Sequence, residues 1–185
     1  MSNQIEYQVF SLPAAIMLQH QLPSEVVTTL NEYLDALRSN DKRESASDTL
    51  VGQIHNGEQL KMDFTDQSLQ PFVSIVESLS TAYLKHFVEL TKSPLQPKKI
   101  SMDKLWSVHS FEGDYNPIHD HLTASNMGLS FTTWTLVPEQ IHRPNEEAEQ
   151  RYDLYDSSGS IDGFINFTYG LNQIGGPERL RPSQS

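Results

Sequence analysis

The stretch Lys99–Phe111, KISMDKLWSVHSF, decides how the fold is read, because the spacing of apolar residues changes there. Ile100, Met102, Trp106 and Val108 share one parity, the pattern of side chains that alternate across a strand. After this stretch, short aromatic, β-branched and Thr-rich runs are separated by turn residues: GLSFTTWTLVP at Gly128–Pro138 and, behind DSSGSID, GFINFTYG at Gly163–Gly170. Short runs at turn-bounded intervals predict a β-sandwich or jelly roll over 98–185.

Before the stretch the period is helical. In Gln70–Leu90, Phe72, Ile75, Val76, Leu79, Tyr83, Phe87 and Leu90 fall on one stripe, with Pro71 suited to a first turn and Pro94 and Pro97 as stops. In Pro23–Ser39, Val26, Leu30, Tyr33, Leu34 and Leu37 share a face; Ser24 is read as the cap, and Glu25 favours the positive end of the helix. Arg38–Asp48 reads as an exposed loop. Thr49–Phe64 reads as short extended segments with an Asn-Gly turn at Asn56 and Gly57. Ile5–Leu12 alternates through Ile5, Tyr7 and Val9 as a half-buried strand does. The expected fold class is therefore α+β, with two N-terminal helices supporting the β half. A chain of 185 residues suits one domain, in which 1–97 form the strand and helical support and 98–185 the jelly-roll strands.

Composition excludes several functions. Acidic residues outnumber basic ones 24 to 13 and the basic ones are scattered, which argues against a nucleic acid partner. With no cysteine there is no disulfide, zinc finger, iron–sulfur cluster or thiol nucleophile. The start MSNQIEYQVF lacks the charge and apolar regions of a signal peptide, and no apolar run is long enough for a membrane span. A soluble, cytoplasmic protein without a membrane partner is expected. No Gly-rich phosphate loop, nucleophile elbow or Ser/His/Asp pattern occurs.

The chemistry concentrates in YNPIHDHLTAS, Tyr115–Ser125. It follows a turn at Gly113 and precedes the turn-forming TASN, so an extended conformation is expected. His119 and His121 then share one face and Asp120 the other. Two imidazoles at i, i+2 on a strand can reach one first-row metal, and iron, zinc, copper and nickel all suit such ligands. The competing reading makes one or both histidines ordinary surface residues near a turn, with Asp120 paired to a neighbour. His20, His55 and His109 have no partner at ligand spacing and read as structural or surface residues. His86 lies beside the apolar stripe of the second helix. His142, near the charged loop RPNEEAEQR, is a remote candidate for a third ligand.

Three blocks in order, Leu50–Leu60, Trp106–Ile141 and Asp162–Gly170, resemble a family of 2-oxoglutarate- and Fe(II)-dependent oxygenases of marine phages and bacteria. The resemblance runs from about residue 50 onward. It implies a double-stranded β-helix, an Fe(II) cofactor, 2-oxoglutarate as small-molecule co-substrate, and dioxygenase chemistry. There, oxidative decarboxylation to succinate and CO2 accompanies hydroxylation of a substrate that the sequence does not name. The family's first ligand pair carries over onto His119 and His121. Tyr115 shares their parity and is a candidate for the co-substrate pocket, as is Trp134 with Thr132 on the next run; each also reads as an ordinary core residue.

Two departures from the family stand out. The second ligand is commonly a carboxylate, whereas here it is His121, unless a bulge turns Asp120 inward. The family's later segment, which supplies a distal histidine and an arginine for 2-oxoglutarate, has no counterpart: no histidine follows His142, and Arg179 and Arg181 lie in a Pro/Gly-rich tail. The jelly roll is therefore expected to be incomplete by two or three strands, either as a fragment or as a short form pairing its open edges in a homo-oligomer. Weak iron binding and little turnover follow. Two alternatives remain at this level: a non-catalytic jelly-roll binding or structural module of phage origin, and a cupin-like metal enzyme with His142 or Glu112 as third ligand.

Overall fold

A computed structural model describes residues 6–12, 15–49, 54–94, 96, 99–111, 113–117, 119 and 128–138. The chain divides into two units, Met1–Leu136 and Val137–Ser185, and the described residues lie almost wholly in the first. Their order is β1 (Gln8–Leu12), β2 (Ala15–Gln19), α1 (Ser24–Ser39), β3 (Glu58–Lys61), α2 (Gln70–Thr91) and β4 (Trp106–His109). The architecture is mixed α and β, with two helices and antiparallel strand pairs.

The strand expected near the N-terminus is β1, and it has a partner that the sequence did not announce. β2 pairs with it antiparallel, from Gln8 opposite Gln19 to Leu12 opposite Ala15. Ile16 and Leu18 of β2 are half-buried while Met17 and Gln19 are exposed, the alternation of a strand with one covered face. That hairpin meets α2. Tyr7, just ahead of it, donates or accepts a hydrogen bond with His86 Nε2 at 3.2 Å, their rings 5.9 Å apart and edge to face.

Both helices sit where their periodicity put them. On α1, Val26 and Leu30 are buried, with Tyr33, Leu34 and Leu37 packed beside them. The expected cap is corrected by one residue. Pro23 O already accepts from Val26 N at 3.0 Å and Val27 N at 3.1 Å, so Pro23 is the N-cap and Ser24 lies inside the first turn. Glu25 in the first turn and Arg38 in the last both complement the helix dipole. α2 takes Pro71 in its first turn, where no N–H is missed. It ends through Lys92 in the left-handed region, φ 54°, two residues before Pro94. Phe72 and Val73 bury its N-terminal half against α1, whereas Leu90, on the expected stripe, is exposed.

The core forms around Val26, Leu30, Met62, Leu69, Phe72 and Val73. Leu69 is fully buried and is delivered by the short 3-10 turn Gln67–Leu69. Asp66 caps this turn by accepting from Ser68 N at 2.8 Å. Nearby, β3 is covered along both edges. β4 pairs with it antiparallel, Glu58 opposite His109 and Lys61 opposite Trp106. On the other edge Ser45 bridges Leu60, Ala46 N donates to Gln59 O at 2.8 Å, and Lys61 N donates to Glu44 O at 2.9 Å. Gln59 and Leu60 are consequently both buried. The loop read as exposed is largely so, but its Ser45–Ala46 portion docks here.

Two expectations for the β half change. Residues 100–105 are not in a strand, so parity does not carry from Ile100 to Val108. Met102 and Leu105 turn to the core instead, Ser107 is buried, and Val108 is exposed. Gly128–Pro138, expected as a strand, holds no strand in the structure. Its Phe131–Thr135 part meets both helices: Asn31 Nδ2 of α1 donates to Thr135 O at 3.1 Å, and the Phe131 ring meets Phe72 of α2 edge-on at 5.8 Å. The run Gly163–Gly170 lies outside the described residues. No helix among the described residues is long and apolar enough to cross a membrane.

Candidate functional site

The histidine motif grows out of the end of β4. At Gly113, φ 87° reverses the chain in a region that disfavours a Cβ, and Asp114 N donates to Phe111 O at 2.9 Å. The Asp114 carboxylate then gathers backbone N–H groups from its own turn and from one distant segment. Oδ1 accepts from His55 N at 2.7 Å and Asn56 N at 2.9 Å, and Oδ2 accepts from Phe111 N at 2.9 Å. The N–H groups of Asn56 and Phe111, aided by those of His55 and Gly57, hold this carboxyl below the ordinary aspartate range in spite of its desolvation.

Gly57 makes the approach feasible. A Cβ there would overlap the carbonyl oxygen of His109 and lie 2.9 Å from Asp114 Oδ2. The Asn-Gly pair therefore permits backbone close to backbone, and the strand that follows it, β3, takes β4 as its partner.

His119 is exposed, and its Nδ1 lies 2.8 Å from Pro117 O. A carbonyl oxygen only accepts, so Nδ1 carries the proton and the neutral ring has its lone pair on Nε2. Metal-ligating histidines are commonly oriented in this way, one nitrogen donating to a carbonyl while the other faces the ion. His119 thus fits the role of one imidazole ligand. His121, with Asp120, Glu112 and His142, lies outside the described residues. Among the described residues no group of three His, Asp or Glu side chains is placed to hold a metal. Tyr115 and Trp134, the residues expected beside a co-substrate, are 58% and 53% exposed.

Beside the motif lies a charged cluster that the sequence did not reveal. Glu58 receives Arg38 Nε on Oε1 at 3.1 Å and Arg43 Nε on Oε2 at 2.9 Å. Burial alone would raise its carboxyl, but the hydrogen bonds and charges of Arg43 and Arg38 outweigh that and hold it low. Opposite Glu58 stands His109, whose Nε2 is 3.0 Å from Ser107 Oγ. Burial first, then the charge of Arg38, pushes this imidazole down against the pull of Glu58 and Asp35. Asp41, Arg43, Ser45, Ser47, Gly57 and Glu58 line a shallow groove of about 410 Å³; Tyr115, His119 and Trp134 do not line it.

A glycine-aspartate turn ahead of Asn-Pro was the available signal for Asp114, yet its partners at 55 and 56 are too far along the chain for any local pattern to name. Compared with known proteins, the chain matches no family model, no curated protein and no solved structure.

Proposed function

We propose that the protein is a 2-oxoglutarate- and Fe(II)-dependent oxygenase built on a double-stranded β-helix, with His119 and His121 as metal ligands and Tyr115 and Trp134 beside the co-substrate. The observation that carries this reading is the His119 Nδ1 hydrogen bond to Pro117 O, an orientation commonly given to metal-ligating imidazoles. The antiparallel β3–β4 ladder leading into the motif supports it as well. When bound, iron with 2-oxoglutarate would supply oxidative decarboxylation coupled to hydroxylation of a substrate C–H bond. The chain's own part is narrower. His119 and His121 bind and orient the metal; the Tyr115 hydroxyl is suited to donate to a 2-oxoglutarate oxygen; and the Trp134 ring is suited to exclude water from one side. With two imidazoles assigned, metal affinity should be weak and turnover low.

The test is calorimetric titration with Ni(II), as a redox-stable substitute for Fe(II), with and without 2-oxoglutarate, alongside succinate release with Fe(II) and ascorbate. Expected are weak metal binding that 2-oxoglutarate tightens, little succinate, and loss of the binding in His119→Ala. Metal binding indifferent to 2-oxoglutarate would favour a cupin-like enzyme, and no binding at all a non-catalytic module; either overturns the proposal. Robust succinate release abolished by His119→Ala would uphold the chemistry and show that a third ligand has been overlooked.

A further inference from the structure

We infer that Asp114 is a positioning residue for His119, fixing the direction from which that imidazole meets a metal. The inference rests on the metal-ligand reading of His119.

Among the described residues, Asp63, Asp66 and Asp114 each accept from backbone N–H in a turn, and they differ in reach. Asp63 accepts from the N–H and hydroxyl of Thr65, and Asp66 from those of Ser68, each two residues ahead. Such turns shape only their own segment. Asp114 accepts from Phe111 on its own turn and also from His55 and Asn56, on the segment that enters β3. It therefore ties the start of Tyr115–His119 to the strand pair rather than to itself. Pro117 follows, with φ fixed by its ring, and its carbonyl accepts a hydrogen bond from His119 Nδ1. Hydrogen bonds thus tie Asp114 to the entry of β3 and Pro117 O to the imidazole, with only Tyr115 and Asn116 between the two ties.

Both oxygens of Asp114 are occupied by N–H donors. The carboxylate is consequently held back from competing as a ligand, although it stands five positions before His119 in the sequence. Its contribution is orientation, and an amide in its place would keep the shape while losing one acceptor.

Two readouts decide the matter. Nitrogen-detected NMR of the histidine side chains reports which His119 nitrogen carries the proton, with no metal present. Ni(II) titration reports affinity. In Asp114→Asn the Nδ1–H form of His119 should relax toward the mixture shown by a free imidazole, and Ni(II) affinity should fall about 10-fold, the size typical for loss of a ligand's orienting contacts. Asp63→Asn, which loosens a purely local turn, should change neither. Asp114→Glu keeps both acceptor oxygens but displaces them by a methylene; it should give an intermediate tautomer shift, and it answers the question should Asp114→Asn fail to fold. An unchanged His119 tautomer in a folded Asp114 variant overturns the inference. If the wild-type chain takes up no Ni(II), or His119→Ala takes up as much, the metal reading fails, while the tautomer measurement still decides whether Asp114 orients His119.

Discussion

Replacing Gly57 with alanine probes the closest backbone approach in the site. The added methyl carbon would overlap the carbonyl oxygen of His109, and it would sit 2.9 Å from Asp114 Oδ2. A clash with a main-chain oxygen cannot be relieved by turning a side chain, so the end of β4 must retreat from Glu58, its partner in the ladder. Overpacking of this kind costs about 1–3 kcal/mol, and a lost ladder hydrogen bond about 1 kcal/mol more. The lower entropy of the unfolded alanine chain returns about 0.4–1 kcal/mol. The net loss should be roughly 1.5–3 kcal/mol. With a urea dependence of about 2 kcal/mol per molar, the unfolding midpoint should fall by about 1 M. Gly113→Ala is the comparison. Among the described residues only Asn56 Nδ2, at 3.8 Å, would meet its methyl, so its cost is the backbone strain of φ 87°, about 1–2 kcal/mol. A Gly57→Ala midpoint within about 0.3 M of wild type, well inside the shift worked above, would refute the close approach on which the site is built.

Leu69→Ala should cost about 3–4 kcal/mol in the same assay, since the side chain is fully buried, whereas Leu69→Met should cost under about 1.5 kcal/mol. Lys92→Gly should stabilise the chain by about 0.5–1 kcal/mol, because a left-handed helix end at φ 54° strains any residue with a Cβ. The lowered pKa of His109 means that the unfolded chain takes up that proton first as pH falls. Stability should therefore decline from about pH 6.5 toward the lower folded value, and His109→Gln should flatten that part of a stability-against-pH curve. Asp114 acts in a separate window: its lowered carboxyl contributes stability above about pH 4, lost as pH falls through its folded value. Asp114→Asn should shrink the acid limb, which Glu58 and Asp63 share, while keeping the one due to His109.

The two helices were legible because each carries its own instruction, an apolar stripe at helical period closed by proline or a polar run. The cap on α1 shifted by one residue because Pro23 O reached the first free N–H groups before the Ser24 hydroxyl did. Strands were harder to read. β2 is a five-residue piece, AIMLQ, whose identity comes from pairing with β1. The parity drawn from Ile100 to Val108 failed because strand β4 begins only at Trp106, after Leu105 O has accepted from Met62 N at 3.0 Å, and alternation has meaning only within one strand. In the site, the i, i+2 histidines are a local signal of sequence, and of the two the structure describes only His119. Asp114 and Glu58 could not, since their partners lie elsewhere in the sequence and only the folded backbone brings them together.

The two-sided covering of β3 has a consequence for the chain as it is made. One edge is covered by Glu44–Ala46, which precede β3; the other waits for β4, about 50 residues later, after the whole of α2. Closing so long a loop adds little to the equilibrium cost, since that cost grows only with the logarithm of length. On the ribosome, however, the hairpin, both helices and one side of β3 can be in place while the other side still offers unpaired N–H and C=O groups to any extended segment nearby. A nascent chain that pauses between α2 and Trp106 is at its most prone to aggregate, and the arrival of four residues, Trp106–His109, ends that exposure.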